Sequence, residues 1–319
     1  MRKSCCVSSN LFALIFFLLP TGMLCLGFVV FPYPASPESN PLLYVPLFGG
    51  LLLLGCGYFW KEPSCASVLK ILGWTAFMMF WAFLPSFLYY SEDGDIFNAV
   101  VCIVGVYFLM YVAYHEWVSI RQKQYPSCLN WLAGGTFIAG MIYFMFDSSI
   151  IPFFKKGLIE LVAQQSAHLM NLFGLHATIN PNYPSVILYQ NTSISIIFAC
   201  TAIQSMVLFI GMLGALSIAP LQRRLLGIVI TVIPIYFLNL FRNASVIFLV
   251  GNNITDFHLA HNVIAKAGSL IALVVLLFIT FKITPQLYDE IMNILRLPKR
   301  QGPVENFFKI VWSRRKEKI

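Results

Sequence analysis

Residues 225–241 read Leu-Leu-Gly-Ile-Val-Ile-Thr-Val-Ile-Pro-Ile-Tyr-Phe-Leu-Asn-Leu-Phe, an uncharged run bracketed by Arg223-Arg224 and Arg242. A helix of about 20 such residues crosses the hydrocarbon of a bilayer. Seven more long apolar runs lie at 11–30, 42–60, 68–90, 96–114, 129–146, 201–218 and 264–281, charged only at Lys70 and Lys266. The 319-residue chain is 59% hydrophobic and 11% charged, whereas about a quarter of a soluble domain is charged. These features predict an all-α polytopic membrane protein with about eight transmembrane helices. No repeat or low-complexity linker divides it, so it reads as a single domain, 1–319.

Basic residues set the expected orientation, because loops rich in lysine and arginine stay in the cytoplasm. Arg2 and Lys3, Lys61 and Lys70, Arg121 and Lys123, and Arg223 and Arg224 fall in alternate loops, and the tail from Lys282 to Lys318 is strongly basic. The loops between are the mirror image: 31–41 and 251–263 carry no lysine or arginine, and 91–95 is acidic. Lys155, Lys156, Arg242 and Lys266 break the pattern. Both termini are therefore expected inside a multi-pass cell-membrane protein. The net charge of +8 follows from this topology and from anionic inner-leaflet lipid, with no nucleic-acid partner implied. Of eight cysteines, Cys5, Cys6, Cys65 and Cys128 fall on the inner side and Cys25, Cys56 and Cys102 within helices, which speaks against a disulfide framework. Cys200 alone is placed at the outer boundary. No paired Cys/His spacing points to a metal.

Residues 1–146 read as a five-helix scaffold with few polar side chains. Residues 147–199 read as a small extracytoplasmic cap. Leu158, Leu161, Val162, Leu169, Leu172 and Phe173 recur at helical spacing and predict an amphipathic surface helix over 159–175, ended by Asn180-Pro-Asn-Tyr-Pro184. Alternating residues on either side of Gln190-Asn191 predict a short hairpin. A catalytic three-helix region at 200–282 follows, and 283–319 forms a basic cytoplasmic tail, expected as a surface helix with a disordered end.

Three chemically unlike residues share one depth in that region. Counted along continuous helices, Ala219 to Cys200, Arg224 to Arg242 and Lys282 to His261 each cover about 27 to 32 Å. A thiol, a permanent cation and an imidazole at one surface compose a nucleophilic acyl-transfer site. Thr201 and Gln204 fit a capping box that places Cys200 before the first turn of a helix, whose dipole favours thiolate. The bland alternative is a small buried hydrophobe. Arg242, flanked by apolar residues, must face a polar cavity or the interface; it can stabilise an oxyanion or snorkel to headgroups. Asn239, three residues earlier on the same face, orients the guanidinium or lines the pocket. His261 is the candidate acid and base, with His258 and Lys266 as rivals for that role. Asn191, Asn243 and Asn253 match the short glycosylation pattern, Asn243 at an inaccessible helical position.

The motifs Ala199-Cys-Thr-Ala-Ile-Gln-Ser205, Asn239-Leu-Phe-Arg-Asn243 and Ala260-His-Asn262, in this order on the last three spans, resemble the archaeosortase/exosortase family of membrane transpeptidases. They are most similar to its archaeosortase A branch, whose cysteine motif reads Ala-Cys-Thr-Gly-Ile; here Ala202 stands where glycine is usual. The resemblance implies substrate proteins ending in a short motif of the Pro-Gly-Phe type, a transmembrane span and a basic tail. It implies cleavage on the outer face, transfer of the acyl group to a lipid-linked acceptor, Cys200 as nucleophile, Arg242 as transition-state stabiliser, and no cofactor. The third member differs among branches, histidine or arginine. Rival readings are a hydrolytic intramembrane cysteine protease, a secondary transporter, which would place its polar residues at the midplane, and a non-catalytic assembly factor.

Overall fold

The computed structural model describes residues 2–30, 41–90, 96–147 and 152–316. The loop positions 31–40 and 91–95, on which part of the orientation argument rests, lie outside the described residues. In chain order the helices are α1 (Arg2–Val30), α2 (Tyr44–Phe59), α3 (Pro63–Ala82), α4 (Leu84–Tyr90), α5 (Ile96–Gln122), α6 (Ser127–Asp147) and α7 (Pro152–Leu172). Strands β1 (Thr178–Ile179), β2 (Val186–Tyr189) and β3 (Thr192–Ser195) follow, then α8 (Ile203–Gly214), α9 (Leu221–Gly251), α10 (Lys266–Ile283), α11 (Pro285–Leu295) and α12 (Pro303–Lys316). Five described helical segments are long and apolar enough to cross a membrane, and three shorter apolar ones, Leu14–Val29, Tyr44–Phe59 and Ile203–Gly214, accompany them. These eight match the eight runs of the sequence.

The chain forms two compact units, Met1–Phe137 with Asp289–Ile319, and Ile138–Tyr288. In the first, Glu62 caps α3, its carboxylate accepting from the backbone N–H of Ser64 (3.0 Å) and Cys65 (2.6 Å), with Pro63 at the first helical position where a missing donor does no harm. Pro85 cannot donate to the turn before it, and the helix breaks at Phe83 into α3 and α4. Helices α2 and α3 cross where Gly50 meets the backbone of Gly73 and Phe77, leaving no room for a side chain. Small residues permit this contact between apolar helices.

The same unit buries more charge than a plain scaffold would. Lys70 and Glu116 form an ion pair at 2.9 Å, both nearly inaccessible. Next to it, His115 Nε2 lies 3.3 Å from Glu305 of α12, and the hydroxyls of Tyr111 and Tyr114 each donate to that carboxylate at 2.8 Å. Arg300 donates to Ser119 Oγ and to the Gln124 carbonyl. The tail expected to trail off thus carries a second helix, anchored through Glu305.

The second unit contains the helix and the hairpin predicted for residues 147–199. Helix α7 begins earlier than its periodicity indicated, and β2 and β3 pair antiparallel across Gln190-Asn191, with β1 added to give the order β1-β2-β3. Met170, Ile187, Tyr189 and Ile194 pack with Leu240 and Ile247 of α9 and with Cys200 in one buried cluster. Gly251 lets the Tyr189 ring approach α9 closely, and Gln190 donates to Asn252 (3.1 Å). Lys155 pairs with Asp147 at 3.1 Å.

Helix α8 corrects the depth count. It holds 12 residues, about 18 Å at 1.5 Å per residue, so Ala219 to Cys200 is not one continuous helix. Arg224 stops it by donating to the carbonyls of Leu213 (3.0 Å) and Gly214, satisfying acceptors left over at a helix C-terminus.

Candidate active site

Cys200 sits in a 3-10 turn, Phe198–Thr201, just ahead of α8. Its N–H donates to Ile197 O at 2.8 Å, and only 7% of the residue is exposed. The expected Thr201–Gln204 capping box is not formed. Ala202 occupies the N-cap position with φ +58° and ψ 10°, and α8 starts at Ile203 with no side-chain cap. Thr201 therefore lies one residue too early, and its hydroxyl turns back to Phe198 O at 2.7 Å, while Gln204 donates to Tyr143 Oη at 2.9 Å. The left-handed backbone at Ala202 favours glycine, the residue usual in the motif that this segment resembles.

Helix α9 supplies the facing side. Its residues 239, 242 and 243 share one face, as i, i+3 and i+4 positions do. Asn239 Nδ2 donates to the carbonyl of Cys200 at 2.7 Å, and Asn243 Nδ2 donates to the same oxygen at 3.1 Å. Arg242 Nη1 donates to Asn239 Oδ1 at 3.3 Å, and its Nε is buried with no partner among the described residues. Asn239 thus bridges the guanidinium and the cysteine backbone. Asn243 was missed as a site residue in the sequence, although its spacing from Asn239 on the Arg242 face was a readable signal.

A cavity of about 520 Å³ opens among α8, α9 and α10, with Gln204, Asn239, Arg242, Lys266 and three serines, Ser205, Ser245 and Ser269, set in an otherwise apolar wall. The uncapped first turn of α8 contributes to it. His261 lies in a π-helical segment, Leu259–Ala265, running into α10, a distortion frequent at functional sites. Its ring stacks on Phe257 with centroids 5.2 Å apart. Of the three candidates for the third group, Lys266 stands in the cavity wall, His261 is half-buried on the π segment, and His258 lies on the exposed approach to it. A second cavity of about 780 Å³ lies among α6, α7 and the hairpin, lined by Lys155, Lys156, Tyr183 and Phe198. Ala199 lines both cavities, so the cysteine turn is a wall they share.

A cysteine whose backbone carbonyl is held by two asparagine amides, one of them bonded in turn to a guanidinium, beside cavities among apolar helices, defines a polytopic membrane protein with a candidate cysteine site. The family profile of the transmembrane exosortases matches residues 42–281, and the chain belongs to that family, as a membrane-embedded sorting enzyme. Archaeosortase A of Haloferax volcanii is 24% identical over 257 residues, 70% of this chain and 82% of that protein. No solved structure matches the chain.

Proposed function

We propose that this sorting enzyme is a cysteine transpeptidase that cleaves the C-terminal sorting signal of secreted surface proteins on the outer face of the membrane and passes the acyl group to a lipid-linked acceptor. The Cys200 thiolate attacks the scissile carbonyl, and Arg242 meets the charge that develops on its oxygen. The C–N bond breaks as the leaving amine takes a proton from His261, giving a thioester on Cys200. The acceptor then attacks, gives its proton to His261, and the thiolate returns. A substrate already anchored by its own span reaches the site by diffusion in two dimensions, so topology supplies proximity.

The observation that carries this reading is the tie between the cysteine and the arginine. Asn239 bonds the Cys200 carbonyl on one side and the Arg242 guanidinium on the other, so nucleophile and cation keep a common register. Two cavities meeting at Ala199 favour transfer over hydrolysis, since donor and acceptor then have separate approaches. The placement on the outer face, with both termini inside, rests on the alternation of basic loops.

Replacement of Cys200 by alanine is expected to leave a folded protein while full-length substrates accumulate. Mass spectrometry of the wild-type product then reads the second step: an added lipid mass on the new C-terminus is expected. A free acid replaces transfer by hydrolysis, and normal processing in Cys200→Ala removes the nucleophile assignment.

A further inference from the structure

We infer that Asn243, together with Asn239, is a positioning residue that holds the peptide unit of Cys200 in register with Arg242. The inference rests on the reading of Cys200 as nucleophile and adds to it a residue with no role there.

The argument begins with a carbonyl displaced from a helix. In a regular helix the oxygen of residue 200 accepts from the N–H of residue 204. Here the left-handed Ala202 turns the chain away, and that oxygen instead accepts two side-chain amides from a different helix. Both asparagines are 5% exposed. A buried carbonyl must be hydrogen-bonded somewhere, and a surface turn would have found water. This one is taken up 39 and 43 residues further along by neighbours of Arg242. Two donors from one rigid face fix the position of the peptide plane as well as its distance. The direction in which the Cys200 side chain leaves the backbone is thereby tied to α9. Asn239 shares its carboxamide with Arg242, whereas the Asn243 amide acts on the cysteine backbone from beyond the arginine. Loss of either loosens the turn, and a misplacement of about 1 Å costs about 100-fold in rate.

The test uses the full-length chain in detergent with a reporter protein ending in a Pro-Gly-Phe motif, an apolar span and a basic tail, with rates normalised to titrated Cys200 thiol. For Asn243→Ala we expect kcat to fall about 100-fold with KM within threefold of wild type. Asn243→Asp keeps the shape and regains a donor only when protonated. Burial raises the pKa of such a carboxyl, so its rate relative to wild type should recover as pH falls, while Asn243→Ala should show no recovery. Should the alanine variant not fold, the aspartate pH profile decides alone. Wild-type kcat in either variant, or an aspartate variant whose rate relative to wild type is flat with pH, overturns the clamp. Processing by Cys200→Ala is a separate result that overturns the nucleophile reading instead.

Discussion

Ala202 holds a backbone conformation that a Cβ makes unfavourable by about 1–2 kcal/mol, at the residue between the cysteine turn and α8. Part of that is returned when glycine loosens the unfolded chain. Ala202→Gly should therefore raise stability by about 0.5–1 kcal/mol, read as a higher thermal midpoint in detergent; an unchanged or lower midpoint contradicts the strain. At Arg242 the geometry of the donor matters as much as its charge, since Nη1 is committed to Asn239 and the compact ammonium of Lys lacks the planar fork that serves two partners in fixed directions. Under the oxyanion role proposed for it, Arg242→Lys should fold and lose about 100-fold in kcat, the size of one such contact. A variant retaining most of the rate would reduce Arg242 to a charge. Cys200, Arg242 and Asn239 stood out as candidates from their order along the chain and their place among apolar residues, and the structure links the three by hydrogen bonds. The capping box was misread because a local Thr-x-x-Gln pattern carries no warning of the left-handed residue between its ends.

Among the elements, α12 shows how a charge can fasten a basic helix. Burial alone would raise the pKa of the Glu305 carboxyl, but hydrogen bonds from His115, Tyr114, its own backbone and Tyr111 outweigh it and hold the value at about 2, against an ordinary 4.5. A lowered folded value means that docking is fully stabilised above pH 4.5 and loses that contribution as pH falls toward 2. Protease nicking of residues 303–309 should thus be slow at neutral pH, rise as the pH falls below 4.5, and be fast at neutral pH in Glu305→Ala; equal protection in that variant discounts the anchor. The Lys70–Glu116 pair makes a related prediction. Lys70→Met leaves a buried carboxylate alone and should destabilise by about 3–5 kcal/mol, and adding Glu116→Leu should recover much of it. The eight apolar helices, the hairpin and the helix before it were legible because periodicity is a local signal. The ionic cluster was not, because Glu305 and His115 are 190 residues apart in sequence and each looks ordinary in its own neighbourhood.

For the whole molecule, the alternation of basic loops predicts opposite sides for Cys65, an exposed thiol, and the exposed cap residue Asn182. On intact cells a membrane-impermeant maleimide should label Asn182→Cys and spare Cys65; the reverse pattern inverts the topology. The short α8 has a consequence for the surrounding lipid. A rod of about 18 Å cannot match hydrocarbon about 30 Å thick, and such mismatch is relieved by local thinning. The leaflet beside α8 should therefore dimple, lowering the water boundary toward Cys200 instead of raising the thiol to meet it. Bilayer thickness then becomes a control on turnover. Reconstitution in lipids of increasing chain length should slow the enzyme progressively, as each added methylene makes the dimple harder to form.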